Sequence, residues 1–346
     1  MHVKTAVVIL NWNGKSLMAK WLGLVVENTL TDTDGDVEVV VADNGSTDGS
    51  LEFVRENYPD TVRCIDLQHN HGFAEGYNQA LSQVDAEYVV LLNSDVEVTP
   101  GWLDVLIGYL DNHPEVVACQ PKIRSMNQRD CFEHAGAAGG FMDALGYPFC
   151  RGRIVNTVEK DHGQYDEVTT IFWATGACLC IRLADYRDVG GLDARFFAHM
   201  EEIDLCWRLR SRGMRIVCVP QSCVYHLGGG TLTKSNPQKT YLNFRNNLMM
   251  LYKNLPEDRL IVVFAIRAVL DYISAFVFLC TGKVSDAVAV LRARSDFWKM
   301  RKRLTIQRLE NRQAARQTVI PEMYKGSIVL GYYLLGKRRF SDYKIS

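Results

Sequence analysis

"EYVVLLNSDVEV", Glu87–Val98, decides how this chain is read. Its first part, "EYVVLLN", is an unbroken apolar run, which predicts a strand buried on both faces rather than a half-exposed, alternating one. Asn93, Ser94 and Asp95 then stand where the chain leaves the sheet. Two other segments have the same form. "TAVVIL" (Thr5–Leu10) runs into "NWNG", and "VEVVVAD" (Val37–Asp43) runs into "NGSTDGS". Helical apolar spacing lies between them in "KSLMAKWLGLVVENT", "SLEFVREN" and "FAEGYNQALSQV", and "VRCIDL" adds a further strand. This βαβα order predicts an α/β fold with a Rossmann-like sheet flanked by helices. Ligands of such sheets bind outside the carboxyl ends of the strands. Three polar, acidic strand ends should therefore converge on one crevice.

The bulk composition is that of a globular chain: 346 residues, 47% hydrophobic and 23% charged. Ten cysteines occur without a CxxC pair, so no zinc ligand set or disulfide framework is indicated, and free thiols fit a reducing cytosol. "AVVIL" ahead of Asn11 is too short for a signal-peptide core and reads as the first strand. The middle of the chain, from Gly101 to about Gly230, is expected to hold an amphipathic helix ("GWLDVLIGYLDNHPEV") and a loop-rich stretch ("HAGAAGGFMDALGYPFCRG"). A broken strand ("TTIFWATGACLCIR"), a helix from about Glu202 with Gly213 as its C-cap, and the strand "MRIVCVPQSCVYH" should follow. From Tyr241 the pattern is helical.

The formal net charge of -1 hides an uneven distribution. Arg292 to Arg316 holds nine Lys/Arg against Asp296 and Glu310, a net +7 that leaves -8 on the remainder. Such a block reads either as a solvated helix face or as a contact for an anionic partner, membrane or nucleic acid. Leu260 to Cys280 is strongly apolar, but Arg267 and Asp271 lie four apart within it, which argues for an interfacial or core-packed helix over a membrane-spanning one.

The candidate chemistry sits at the strand ends and in one acidic cluster. Asp43 opens a turn (Asn44-Gly45), with Ser46, Thr47 or Asp48 available to cap the next helix, and an acid at a buried sheet edge can also accept a nucleobase N–H. Gly72 and Gly76 bracket a helix start where backbone can approach a ligand closely. There is no GxGxxG or P-loop. Asp95 is a turn cap or a ligand for Mg2+ or Mn2+, whose remaining ligands can be phosphate and water. Glu201, Glu202 and Asp204 complement a helix dipole or supply a general base, since clustering raises at least one carboxyl pKa. His226 precedes a glycine-rich loop with Thr231 and Thr233. It reads as a satisfied polar residue or as a metal or diphosphate contact.

Taken in order, "VVILNWNG", "VVVADNGSTDGS", "NHGFAEGYNQAL", "YVVLLNSDVEV", "GACLCIR" and "FFAHMEEIDLCWRLRSRG" resemble the family 2 glycosyltransferases, in particular a bacterial rhamnosyltransferase-like branch. The resemblance covers about Val3 to Gly230. It implies a GT-A fold with a mixed sheet and a C-terminal helical extension. The implied division is a nucleotide-sugar half (1–120), an acceptor half (121–235) and a helical, basic extension (236–346). It further implies that Asn11, Asn13, Asp43, Asn44, Ser46, Gly72, Phe73, Asn78, Asn93 and Ser94 lie along the nucleotide-sugar. Asp95 and His226 would hold a divalent metal, Mn2+ or Mg2+, and Glu202, with Glu201 and Asp204 beside it, would be the base. Asn93 departs from the family's DxD pattern, and Glu202 stands where an Asp is usual.

The expected activity is metal-dependent, inverting transfer of a sugar from a dTDP- or UDP-sugar, with rhamnose as one candidate. The acceptor would be a glycan or lipid-linked saccharide in cell-surface polysaccharide synthesis. The basic extension, 260–316, would rest on anionic membrane at the cytoplasmic face of the inner membrane, and no nucleic-acid partner is expected. The alternatives are a sugar nucleotidyltransferase and a non-catalytic glycan- or membrane-binding protein.

Overall fold

The computed structural model describes residues 2–30, 36–228 and 236–345. The chain begins with β1 (Val3–Asn11), α1 (Lys15–Thr29), β2 (Val37–Asp43), α2 (Ser50–Asn57), β3 (Val62–Asp66), α3 (Gly72–Ser82) and β4 (Ala86–Leu92). It continues through β5 (Val96–Val98), α4 (Trp102–Asn112) and β6 (Val116–Ser125). Short strands follow: β7 (Gly140–Asp143), β8 (Pro148–Cys150), β9 (Arg153–Ile154), β10 (Thr157–Val158) and β11 (Thr169–Thr170). Then come β12 (Cys178–Arg182), α5 (Leu183–Asp188), α6 (Glu201–Ser211) and β13 (Arg215–His226). The remainder is α7 (Pro237–Asn254), α8 (Glu257–Cys280), α9 (Val284–Met300), α10 (Thr305–Ala314), β14 (Met323–Tyr324) and α11 (Ile328–Leu334).

The main sheet runs β11-β13-β6-β12-β4-β1-β2-β3, with β5 paired to β13. β1 to β4 pair in parallel, β12 is antiparallel to both β4 and β6, and β13 is parallel to β6. The sheet is therefore mixed. Its apolar strands are continuous because both faces are covered. Ala6, Val8, Val89 and Leu91 enter one core with α3, α6, the short strands and α7. Val7, Ile9, Val90 and Leu92 enter the other with α1, α2 and α4. Alternate residues of one strand point to opposite faces, so each run fills two cores.

A second, five-stranded sheet, β10-β9-β8-β7-β14, occupies the stretch read from sequence as loops. Its strands are two to four residues long and glycine-broken, too short for a period-2 pattern to register. Its last strand comes from the C-terminal region. The extension is thus tied into the fold, and Leu248, Met249, Met250 and Leu251 of α7 belong to the same core as Phe172 and Trp207.

Helix α8 carries its charges inward. Its buried residues are Val263, Arg267, Asp271 and Ala275, one stripe at four-residue spacing. Arg267 donates to the Leu145 carbonyl at 3.0 Å and to Asn247, and pairs with Asp271 at 3.4 Å. Arg294 of α9 closes the network on the other Asp271 oxygen. The apolar residues Ile261, Val262, Val269 and Phe276 face outward, 59–79% exposed. The helix passes the length and apolarity required to cross a membrane, with 22% of its apolar window buried in the protein. Arg294 and Arg308 are buried in ion pairs, so the basic block is not wholly a surface feature. Removing one member of a buried ionic network leaves its partners uncompensated. Asp271→Ala should therefore cost about 3–5 kcal/mol in urea unfolding; a loss below about 1 kcal/mol, the scale of an exposed pair, would show that water already reaches the network.

Candidate active site

The parallel register sets Asn11 beside Asp43. Asn11 Nδ2 donates to Asp43 Oδ1 at 2.9 Å, to Ser50 Oγ at 2.8 Å and to Ser46 Oγ at 3.2 Å. Asp43 Oδ2 accepts the Ser46 amide at 2.8 Å. Asn13, with φ of 51°, donates its amide to Ser46 Oγ and accepts the Thr47 amide at 2.7 Å. These four residues lock two strand-end loops together. A Cβ at Gly14 would lie 2.3 Å from Asn11 Oδ1, which explains the glycine of "NWNG". Trp12, passed over in the sequence, is 45% exposed at this strand end. Helix α2 is capped by Gly49 with φ of 75°, while Asp48 accepts the Ser50 amide at 3.1 Å.

Two of the expected nucleotide contacts are used inside the protein. Asn44 donates to Asn70 Oδ1 and the Gly72 carbonyl and accepts the His71 amide. Asn78 donates to the Leu192 carbonyl at 2.7 Å and accepts the Leu192 amide and the Tyr186 hydroxyl. An amide has two donors and one oxygen, so these side chains serve as clamps on loops rather than as ligand contacts. By contrast, no hydrogen bond to another described residue engages the half-buried side chains of Asn93 and Ser94.

Asp95 and His226 meet because β5 pairs antiparallel with β13, setting Val96 against His226. His226 Nε2 lies 3.1 Å from Asp95 Oδ1, and its Nδ1 lies 3.6 Å from Glu133 Oε2. All three are buried. Burial alone would lower the His226 pKa; the hydrogen bond to Asp95 and the neighbouring Glu133 carboxylate outweigh it and raise the pKa to about 10. Glu133 was not singled out in the sequence, where 93 positions separate it from His226. Gly228, with φ of 68°, passes so close that a Cβ would sit 2.8 Å from Glu133 Oε1. The glycine-rich loop with Thr231 and Thr233 falls in 229–235, outside the described residues.

This donor set fits a hard divalent cation. One carboxylate and one imidazole converge, the imidazole becoming a donor once a cation displaces the proton that Asp95 and Glu133 favour, and a second carboxylate stands behind the other ring nitrogen, the usual outer partner of a metal-binding histidine. Among the described residues no group of three or more His, Cys, Asp or Glu converges as a complete site. The described residues thus offer two donors, and phosphate and water would complete the shell.

The acidic cluster divides. Asp204 is fully buried and bound by Arg208 at 3.0 Å, Lys253 at 2.7 Å and Asn254 at 2.8 Å. That makes it an anchor between α6 and α7 and not a free base, a correction to the sequence reading. Glu201 and Glu202 each leave a buried Oε2 without a hydrogen-bond partner. Burial raises the Glu202 carboxyl to about 7. It raises Glu201 well above the usual range, and the neighbouring Glu202 charge adds to that. Glu202 is half-buried and Glu201 buried. Gly176 joins the parts: a Cβ there would lie 3.3 Å from the Phe73 ring and 3.8 Å from Glu202 Cβ. Next to it, the Ala177 carbonyl accepts the Asn93 amide at 3.0 Å.

An acid–histidine pair and a carboxyl pair with raised pKa, held near the ends of parallel strands, suit a group-transfer enzyme of GT-A architecture. The family description "Glycosyl transferase family 2" matches residues 6–169. Over 208 residues the chain is 30% identical to the N-acetylglucosaminyl-diphospho-decaprenol L-rhamnosyltransferase of Mycobacterium tuberculosis, covering 56% of this chain and 67% of that protein. The chain belongs to glycosyl transferase family 2 and is a glycosyltransferase. Its fold matches that of S. aureus TarS 1-349 in complex with UDP-GlcNAc (TM-score 0.57, 18% identity, 90% of this chain and 89% of that one). It also matches GalNAc-T7 with UDP, GalNAc and Mn2+ (TM-score 0.58, 16% identity, 74% of this chain and 49% of that one).

A carboxyl at about 7 acts as a base only above that pH. Turnover that needs the Glu202 carboxylate should fall about tenfold per pH unit below 7 and level off above it. A flat kcat profile from about pH 5.5 to 8 would place the base elsewhere.

Proposed function

We propose that this glycosyltransferase moves a sugar with inversion from a nucleotide-diphosphate donor to a lipid-linked saccharide during cell-surface glycan synthesis. The observation that carries the reading is the Gly176–Ala177 hub. It brings Asn93, at the strand end beside Asp95, within two residues of Glu202. Asp95 and His226 would hold Mn2+ or Mg2+, with Glu133 orienting the imidazole. When bound, the cation neutralises charge that builds on the departing diphosphate. The floor of Asn11, Asn13, Asp43 and Ser46 receives the nucleoside, with one Asp43 lone pair open to a base N–H. At the start of α3 the space beside Gly72 is filled by Phe197, which also takes the Phe73 amide, so the donor contacts expected there pass to Phe197, and Asn93 and Ser94 face the ribose and sugar. Glu202 takes the acceptor hydroxyl proton. Glu201, raised further, keeps its own proton, so a second charge does not compete for the same site.

The acceptor class follows from the relative's decaprenol-linked substrate and from α8 and α9. A helix that buries Arg267 and Asp271 and exposes Ile261, Val262, Val269 and Phe276 is inverted relative to a water-facing helix. Exposed Val288, Leu291 and Trp298 extend the surface onto α9, and exposed Arg292 and Lys299 lie among them. Apolar side chains with interspersed basic ones suit the interface of an anionic bilayer, which supports a position at the cytoplasmic face of the inner membrane.

Two experiments test this reading. Asp95→Ala should abolish transfer and donor hydrolysis with the fold intact, and Glu202→Gln should keep donor binding and lose turnover; full activity of Asp95→Ala, or of the enzyme in EDTA, would remove the metal role. In sedimentation, the protein should bind phosphatidylglycerol vesicles in a salt-sensitive way, and Val262→Glu with Phe276→Glu should weaken that by about tenfold or more. Dimerisation through this face without lipid binding would assign it to a second copy instead.

A further inference from the structure

The segment ahead of Glu201 is held in a strained form. Phe197 has φ of 66° and ψ of -60°, and the Ala198 amide bonds back to the Phe196 carbonyl at 2.8 Å. This is a γ-turn of the rare positive-φ kind. His199 and Met200 follow with φ of 70° and 73°. Three non-glycine positions within four residues hold positive φ, a strained arrangement that persists only where the surroundings enforce it.

Two elements enforce them. On one side, the Phe197 carbonyl accepts the amides of Phe73 at 2.7 Å and Ala74 at 3.3 Å, at the start of α3. Gly72 makes room, since a Cβ there would lie 2.5 Å from the Phe197 ring. On the other side stands Asn246 of α7, with no exposed surface. Its Nδ2 shares its two hydrogens among the carbonyls of Phe196 at 2.9 Å, Ala198 at 2.8 Å and His199 at 2.8 Å. Its Oδ1 accepts Arg245 Nε at 2.9 Å, which fixes which way the amide faces. Arg245 Nη2 adds bonds to the Arg195 and Phe196 carbonyls. The result keeps the Phe197 ring 47% exposed and starts α6 with Glu201 and Glu202 in place.

We propose that Asn246, in the helical extension, is a positioning residue of the transfer reaction: it holds the 196–200 backbone and, through it, the pose of the Glu201–Glu202 pair and of the Phe197 ring. The inference rests on reading Glu202 as the base. It makes the extension part of the catalytic apparatus. A side chain displaced by about 1 Å can lose on the order of 100-fold in rate, because proton transfer depends on geometry. The neighbouring Asn247 provides a control. It is buried on the same helix and donates to the Gly146 carbonyl at 2.7 Å, with no hydrogen bond to the 196–200 segment.

The test compares Asn246→Ala, Asn246→Asp, Asn247→Ala and Glu202→Gln in the full-length protein, measuring kcat, donor KM, donor binding and melting temperature. Both Asn246 variants should lose about 30- to 100-fold in kcat, with donor KM and donor affinity within about threefold. The acid limb of their kcat profile should move to lower pH as water reaches Glu202, whose titratable neighbours are Glu201 and Cys206. Asn247→Ala, at a matched drop in melting temperature, should keep kcat and the limb. Overturning results are a kcat within about threefold of the parent, or a loss that Asn247→Ala reproduces at equal stability. The underlying reading fails separately: if Glu202→Gln turns over normally, the base is elsewhere whatever Asn246 does.

Discussion

The pairing of β5 with β13 is the constraint on which the site depends. Three residues, Val96–Val98, lie antiparallel to the end of a strand more than a hundred positions later. That pairing brings Asp95 to 3.1 Å from His226, and the Asp95 carbonyl then accepts the Leu227 amide. The proposed metal role rests on this pairing, since it sets a carboxylate and an imidazole side by side. Glu133 backs the pair from a third segment. The arrangement costs desolvation of three ionisable groups, and it stands because each faces an opposite charge or a hydrogen-bond donor.

The C-terminal third behaves as a buttress, not an appendage. Lys253 and Asn254 of α7 anchor Asp204, and Lys253 also reaches Asp193 at 2.7 Å. Arg210 at the end of α6 pairs with Glu322, and Asp143 accepts the amides of Leu145, Tyr147 and Ile328. The acidic helix is therefore gripped at both ends by residues that follow it by tens of positions. The same region turns an apolar surface outward on α8 and α9, while α7 holds α6 on the inner side.

Much of this was legible in the sequence, and for identifiable reasons. β1, β2 and β4 are long apolar runs ending in polar or acidic turns, and α1, α2 and α6 appear within a residue or so of their expected bounds, because periodicity is strong where an element is long. The second sheet was missed because its strands are too short to carry a pattern. Asp204 looked like its neighbours Glu201 and Glu202; only the approach of Lys253 from α7 distinguishes it. Asn44 and Asn78 lie in recognisable motifs, yet what their amides bond to depends on loops that sequence spacing does not place. Glu133 and Asn246 had no local signal, since each acts through a contact distant in the chain. Arg267 and Asp271 did announce themselves: the i,i+4 pair within the apolar run turned out to be its buried stripe.

The central claim is that a base at Glu202 activates the acceptor on one face of the sugar while the diphosphate leaves on the other, beside Asp95 and His226. Direct displacement of that kind has a stereochemical consequence. The most direct measurement is the anomeric configuration of the transfer product by proton NMR, made with a donor of known configuration. The account predicts that the new glycosidic bond has the configuration opposite to that of the donor. A product that retains the donor's configuration would contradict it.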